Sequence, residues 1–184
     1  MVALLAAAVS VTALPGAGFD REPKIRAVRA KADAFVSETS PTTNFGRASV
    51  IRVAASPVVR TYIRFDVDLH SNEIRRVSLL LWSRTRSRGG YQARLVEGRW
   101  SERRINYENA PELSLRFVAS GRLRARRWKA VDVTSLVAGD RSVNLALTTA
   151  SSDGADFASR ESGLHAPRLV VETETENEEP PESR

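Results

Sequence analysis

Residues 58–67 constrain the fold most. Val59, Ile63, Phe65 and Val67 fall on one side of an extended chain, and Arg60, Tyr62, Arg64 and Asp66 fall on the other. That is the period of two that a strand imposes and a helix does not. A strand with one apolar face needs a sheet to lie in and a second layer to cover that sheet. The chain supplies further short extended stretches at 30–37, 49–53, 74–84, 91–96, 115–119, 128–133 and 142–149. Turn-rich pieces separate them, among them Ser40 to Gly46 and the Asp153-Gly154 pair. In 74–84, Val77, Leu79 and Leu81 face inward while Leu80 and Trp82 make the other face apolar too, which suits a central strand; 91–96 then returns as its hairpin partner. Phe157 to Glu161 and the apolar run Leu169-Val170-Val171 after Pro167 read as a closing hairpin. About nine or ten strands of this kind predict an all-β fold: a two-sheet antiparallel β-sandwich of the jelly-roll type.

With 184 residues and 42% hydrophobic content, the chain has material for one core. The domain is expected over 30–172, after a mixed charged lead-in at 19–29. Residues 1–18 read as a signal peptide. Val2 to Leu14 form an uncharged apolar run too short to span a bilayer, and Pro15 to Gly18 offer small residues for cleavage. The protein is therefore expected to be secreted, extracellular and not held in a membrane. Residues 173–184 read as an acidic disordered tail, because a segment rich in glutamate and proline has little apolar surface to bury. Of 28 Lys and Arg and 22 Asp and Glu, the stretch from Glu172 onward takes one arginine and six glutamates, leaving 27 basic against 16 acidic residues. The remaining chain is strongly cationic, and an anionic partner follows from that.

Several chemistries drop out. No cysteine is present, so disulfides, thiolate metal sites and cysteine nucleophiles are excluded. His70 and His165 stand in loop-like contexts with no third ligand at zinc spacing. There is no Gly-x-Ser-x-Gly, no glycine-rich phosphate loop and no histidine placed to serve Ser159. Carboxylates for glycoside hydrolysis would have to assemble in space from Glu97, Glu102, Glu108 or Asp156, so a polysaccharide-degrading enzyme is the weaker reading. Nucleic acid is not expected as a partner, since no helix-turn-helix, RNP-like or GXXG motif occurs.

What remains is arginine interleaved with aromatic rings. Arg60, Tyr62 and Arg64 project from one strand face, and Trp82, Arg84, Tyr91 and Arg94 gather around the expected hairpin. Rings stack on sugars while guanidinium forks pair with carboxylate or sulfate, so the combination suits an acidic polysaccharide. Arg122, Arg124, Arg126 and Arg127 read as a solvated face. Arg160 is either a further sugar-carboxylate clamp or the partner of a half-buried acid such as Asp33 or Asp66; in an extended segment it cannot pair with its neighbour Glu161. Asp33, Asp66 and Asp132 stand at strand edges and could supply oxygen ligands to a structural calcium. A monomer is expected.

Ala32-Asp33-Ala34-Phe35-Val36, Asn44-Phe45-Gly46, Arg60 to Asp66, Trp100-Ser101-Glu102, Asn109-Ala110-Pro111, Val131 to Thr134, and Phe157 to Glu161 with Pro167 to Val171 occur in this order. Together they resemble the DNRLRE domain, also classed as carbohydrate-binding module family 96. The resemblance runs from about Lys31 to Val171, and departs from the family at Tyr107, where a tryptophan is usual. It implies a non-catalytic β-sandwich on exported bacterial proteins, often beside polysaccharide-degrading domains, with acidic polysaccharides such as alginate among its ligands. An extracellular adhesion module that contacts protein or cell-wall partners is the alternative. Trp100, Asn109, Ala110 and Pro111 are expected to hold a long connection against the sandwich rather than to touch ligand.

Overall fold

The computed structural model describes residues 23–67, 69, 74–137 and 142–174. The proposed signal peptide, His70 and the acidic tail beyond 174 lie outside the described residues. Within them, eleven strands form two antiparallel sheets packed as a sandwich.

The first sheet holds β1 (Lys24–Arg29), β3 (Val50–Val53), β5 (Ile74–Ser83), β8 (Arg127–Asp132), β10 (Ala155–Ala158) and β11 (Arg168–Thr173). The second holds β2 (Ala32–Ser37), β4 (Val59–Asp66), β6 (Gln92–Glu97), β7 (Glu112–Ala119) and β9 (Ser142–Thr148), in the order β2-β4-β9-β6-β7. A single helical turn, α1 (Thr134–Val137), tucks Leu136 and Val137 into the core. Inward side chains of both sheets, including Ile51, Phe65, Leu79, Leu145, Phe157 and Leu169, form one continuous apolar interior. Each such side chain, fully withdrawn from water, contributes roughly 1.5–3 kcal/mol before its ordering entropy is counted.

Three elements differ from the sequence reading. The charged lead-in is β1, an edge strand paired with β11 from Lys24↔Thr173 to Arg29↔Arg168. Its mostly exposed side chains hid it, because an outer edge tolerates charge and the apolar alternation is correspondingly thin. The expected closing hairpin is not a hairpin. β10 and β11 both run antiparallel to β5 along the same edge, with Phe157↔Ser83 and Arg168↔Leu80 as neighbouring registers. They are two pieces of one strand position, interrupted by a 3-10 excursion over Arg160–His165. Nor do β5 and β6 form a hairpin: the chain crosses from the first sheet to the second between Ser83 and Gln92.

β5 is the axis of the first sheet, with β8 on its other edge and Trp82 directly opposite Trp128. Its alternation buries Val77, Leu79, Leu81 and Ser83 and turns Leu80 and Trp82 outward.

Candidate functional site

The outer face of the second sheet carries its own small apolar cluster. Ala32, Ala34 and Val36 from β2, Tyr62 from β4 and Ala146 from β9 lie beneath Trp100 and Ile105. These two belong to the long connection between β6 and β7, which folds back over half of the sheet as a roof. Small residues on β2 allow the roof to approach closely, and the indole of Trp100 donates to Asn144 Oδ1 at 3.2 Å.

The sequence motifs assemble into the clamp that holds this roof. Asn44 donates through Nδ2 to the carbonyls of Glu102 and Ile105, at 2.8 and 2.7 Å. Gly46 passes so close to the Glu102 carbonyl that any side chain there would overlap it. Glu102 accepts from the Asp33 backbone N–H at 2.9 Å and from the Arg160 guanidinium at 2.5 and 3.0 Å, a bidentate fork. Asn106 and Asn109 cross-bond through side chain and backbone, and Tyr62 donates its hydroxyl to the Pro111 carbonyl at 3.2 Å. Trp100, Asn109, Ala110 and Pro111 thus lie in a roofing connection, as the sequence suggested.

Asp33 sits in the middle of the clamp at 1% exposure and accepts the Arg160 backbone N–H at 2.7 Å. Burial is the main force pushing its carboxyl up to about 7; Glu161 and Glu102 add like charge, and the Arg160 N–H and guanidinium offset only part of this. Arg160 holds its proton more firmly than usual, chiefly through the Glu102 hydrogen bond. Contrary to the extended reading, Arg160 also meets Glu161, at 3.2 Å, because the chain turns into the 3-10 excursion at that point. With both carboxylates on it, the Arg160 guanidinium is occupied within the fold.

The unroofed half of the same face is a groove of about 500 Å³. Arg60 on β4 and Arg94 on β6 stand in its lining, with Gln92, Thr148, Leu113 and Glu112 also on its walls. Both arginines are half-buried and each lies on an aromatic ring: Arg60 over Tyr107 at 5.7 Å and Arg94 over Phe117 at 4.8 Å. Arg94 is further fixed by donating to Thr148 Oγ1, Gln92 Oε1 and the carbonyls of Ser114 and Leu115, all neutral acceptors. Among the described residues, neither Arg60 nor Arg94 has a carboxylate partner.

The residues singled out in the sequence are distributed differently from the expectation. Arg60 and Arg94 come together across the groove. Tyr62 is fully buried under the roof, and its phenol is pushed up by burial, so it does not present a ring to ligand. Arg64 is spent on the roof, lying over Trp100 at 5.3 Å and donating to the Trp100 carbonyl. Tyr91 points into the main core, edge-on to Phe157 at 5.4 Å, and not onto a hairpin surface. Trp82 and Arg84 belong to the outer side of the opposite sheet. The proposed calcium ligands are scattered: Asp33 lies in the clamp, Asp66 is exposed at the end of β4, and Asp132 is exposed on β8. Asp132 is engaged by Thr134 and by Arg76 at 3.4 Å, and the Thr134 hydrogen bonds hold its carboxyl below the usual range. Among the described residues no three His, Asp or Glu side chains converge as a metal cluster.

Sequence reasoning missed Tyr107 and Phe117 as supports for the groove arginines, as well as Gln92 and Thr148. No local pattern marks either ring: Tyr107 lies in the connection between β6 and β7, and Phe117 stands on the edge strand β7.

The family pattern described as carbohydrate-binding module family 96 matches residues 24–173, from the first residue of β1 to the last of β11. The chain belongs to carbohydrate-binding module family 96. The match takes in β1 and so begins earlier than the domain boundary expected at residue 30. Members of such a family are typically non-catalytic. No curated protein matches the chain. No helix among the described residues is long and apolar enough to cross a membrane.

Proposed function

We propose that this module binds an acidic polysaccharide in the groove between Arg60 and Arg94, and does so without cleaving it. One observation carries the reading: two guanidinium groups, each braced on an aromatic ring, line one groove, and among the described residues neither makes an ion pair with a carboxylate. Bracing removes side-chain freedom before the ligand arrives, so less entropy is lost when a sugar carboxylate pairs with either fork. Gln92 and Thr148 can bond to ring hydroxyls, and Leu113 offers an apolar patch for a sugar face. Glu112 on the same wall disfavours a carboxylate at that end and gives the groove a direction. A polyuronate such as alginate fits this lining. The apolar leader at 2–14 supports export, where such polymers are met.

The test is affinity electrophoresis through gels containing alginate, pectate, a sulfated glycan or cellulose, at low and high salt. Alginate or pectate should retard the protein, salt should weaken the effect because exposed ion pairs are screened over about 8 Å at physiological ionic strength, and cellulose should not retard it. Arg60→Ala and Arg94→Ala should each cost roughly 1 kcal/mol or more of binding free energy. Equal, salt-independent retardation by cellulose and alginate, or release of new reducing ends, rejects the reading.

A further inference from the structure

The outward side of the first sheet carries a second concentration of rings and cations. Trp82 on β5 and Trp128 on β8 are cross-strand neighbours, edge to face at 5.6 Å. The 3-10 excursion lays His165 against Trp82 at 4.1 Å between ring centres, and Arg168 reaches from β11 over Trp128 at 5.1 Å. Trp128 remains 37% exposed, and the neighbouring Leu164 is 74% exposed. A surface cavity of about 480 Å³ opens beside the cluster, lined by Trp82, Arg84, Arg126, Ala158, Ser162 and His165. Among the described residues no carboxylate stands in that lining, and neither Arg84 nor Arg126 makes an ion pair.

Arg126 adds a backbone observation. It occupies the left-handed region, φ 55°, with its N–H bonded to the Ser83 carbonyl at 2.7 Å. Glycine or asparagine would make that turn with less strain, since an ordinary L-residue's Cβ crowds the following carbonyl in this conformation. What arginine adds at this position is a cation beside the rings.

We infer that the Trp82, Arg84, Arg126 and His165 cavity is a second binding site for an acidic glycan segment, on the face opposite the Arg60 and Arg94 groove. The inference rests on the acidic-polysaccharide reading of that groove and adds a consequence to it. Two sites facing away from one another cannot wrap the same short stretch of polymer. One molecule therefore bridges two strands, and its hold on a polymer network exceeds that of either site alone.

Isothermal titration with tetramannuronate tests this on the whole chain. The wild type should saturate at two tetramers per chain, Arg84→Ala/Arg126→Ala at one, Arg60→Ala/Arg94→Ala at one, and the fourfold variant at none. Arg84 and Arg126 are exposed, so their loss should leave the melting temperature in place. Light scattering with long alginate gives the second readout. The wild type should raise scattering by bridging chains, and either double variant should abolish that rise while still being retarded in an alginate gel. One tetramer per wild-type chain, unchanged in Arg84→Ala/Arg126→Ala, overturns the second site. A stoichiometry that drops only in Arg84→Ala/Arg126→Ala retains the second site and refutes the groove. No heat with any variant overturns both. Wild-type dimers in sedimentation that Trp128→Ala converts to monomers would make the cluster a self-association surface and overturn its assignment to glycan.

Discussion

Replacing Asp33 by asparagine should remove a pH dependence that the clamp builds into stability. In the folded protein the carboxyl holds its proton up to about 7, against an ordinary value of 3.8. Below pH 4 both folded and unfolded chains carry that proton and the group contributes nothing to the slope. Between pH 4 and 7 the unfolded chain releases it while the folded chain keeps it. The unfolded state then binds fewer protons, and stability falls as pH rises. At about 1.4 kcal/mol per pH unit, the interval from 3.8 to about 7 corresponds to a loss on the order of 4 kcal/mol, complete above the folded value. Asparagine keeps an oxygen to accept the Arg160 N–H and has no proton to release. Urea denaturation of the wild type and Asp33→Asn at half-unit steps from pH 4 to 8 gives the comparison, with the difference between the two curves isolating this group. The variant should gain on the wild type steadily up to about pH 7 and then run parallel to it. Curves parallel throughout would mean that the Arg160 and Glu102 surroundings stabilise the carboxylate as well as water does, and the account of the clamp would fail.

Tyr91→Phe should be neutral or stabilising by about 1 kcal/mol in chemical denaturation, because the Tyr91 hydroxyl is buried with no hydrogen-bond partner among the described residues and its removal relieves a desolvated group. Gly46→Ala should lower stability by several kcal/mol and loosen the roof, seen as faster amide exchange at Ile105, since the new methyl has to displace the Glu102 backbone. Arg160→Ala should cost about 2 kcal/mol of stability by stripping Glu102 of its fork, yet leave alginate retardation of the folded fraction unchanged.

The strands were legible wherever one face is apolar and the other is not, as in β4, β5 and β9, and so the all-β sandwich could be read from alternation alone. Alternation does not say which strands share a sheet. Trp82 and Arg94 stand twelve residues apart on what reads as a hairpin, yet the chain changes sheets between them and sends them to opposite faces. Nor does it say what covers an outward face. Tyr62 and Arg64 have the spacing of surface residues, but the connection carrying Trp100 folds over them and makes that face a second small core. Arg160 and Glu161 were ambiguous for the same reason: their pairing depends on a 3-10 excursion that interrupts one strand position, a feature set by contacts with Glu102 and Asp33 far away in sequence. The groove itself was half legible, through Arg60 and Arg94. Its aromatic supports were not, because Tyr107 and Phe117 reach it from a loop and an edge strand with no local pattern of their own.

The most direct measurement of the central claim is an amide chemical-shift map of the isotope-labelled protein titrated with tetramannuronate, repeated with cellotetraose. The groove reading predicts saturable shifts at Arg60, Gln92, Arg94, Leu113 and Thr148 with the uronate, weakened by salt, and none at these positions with the neutral sugar. Saturable uronate binding that leaves those amides unmoved, or equal shifts with cellotetraose, would contradict it.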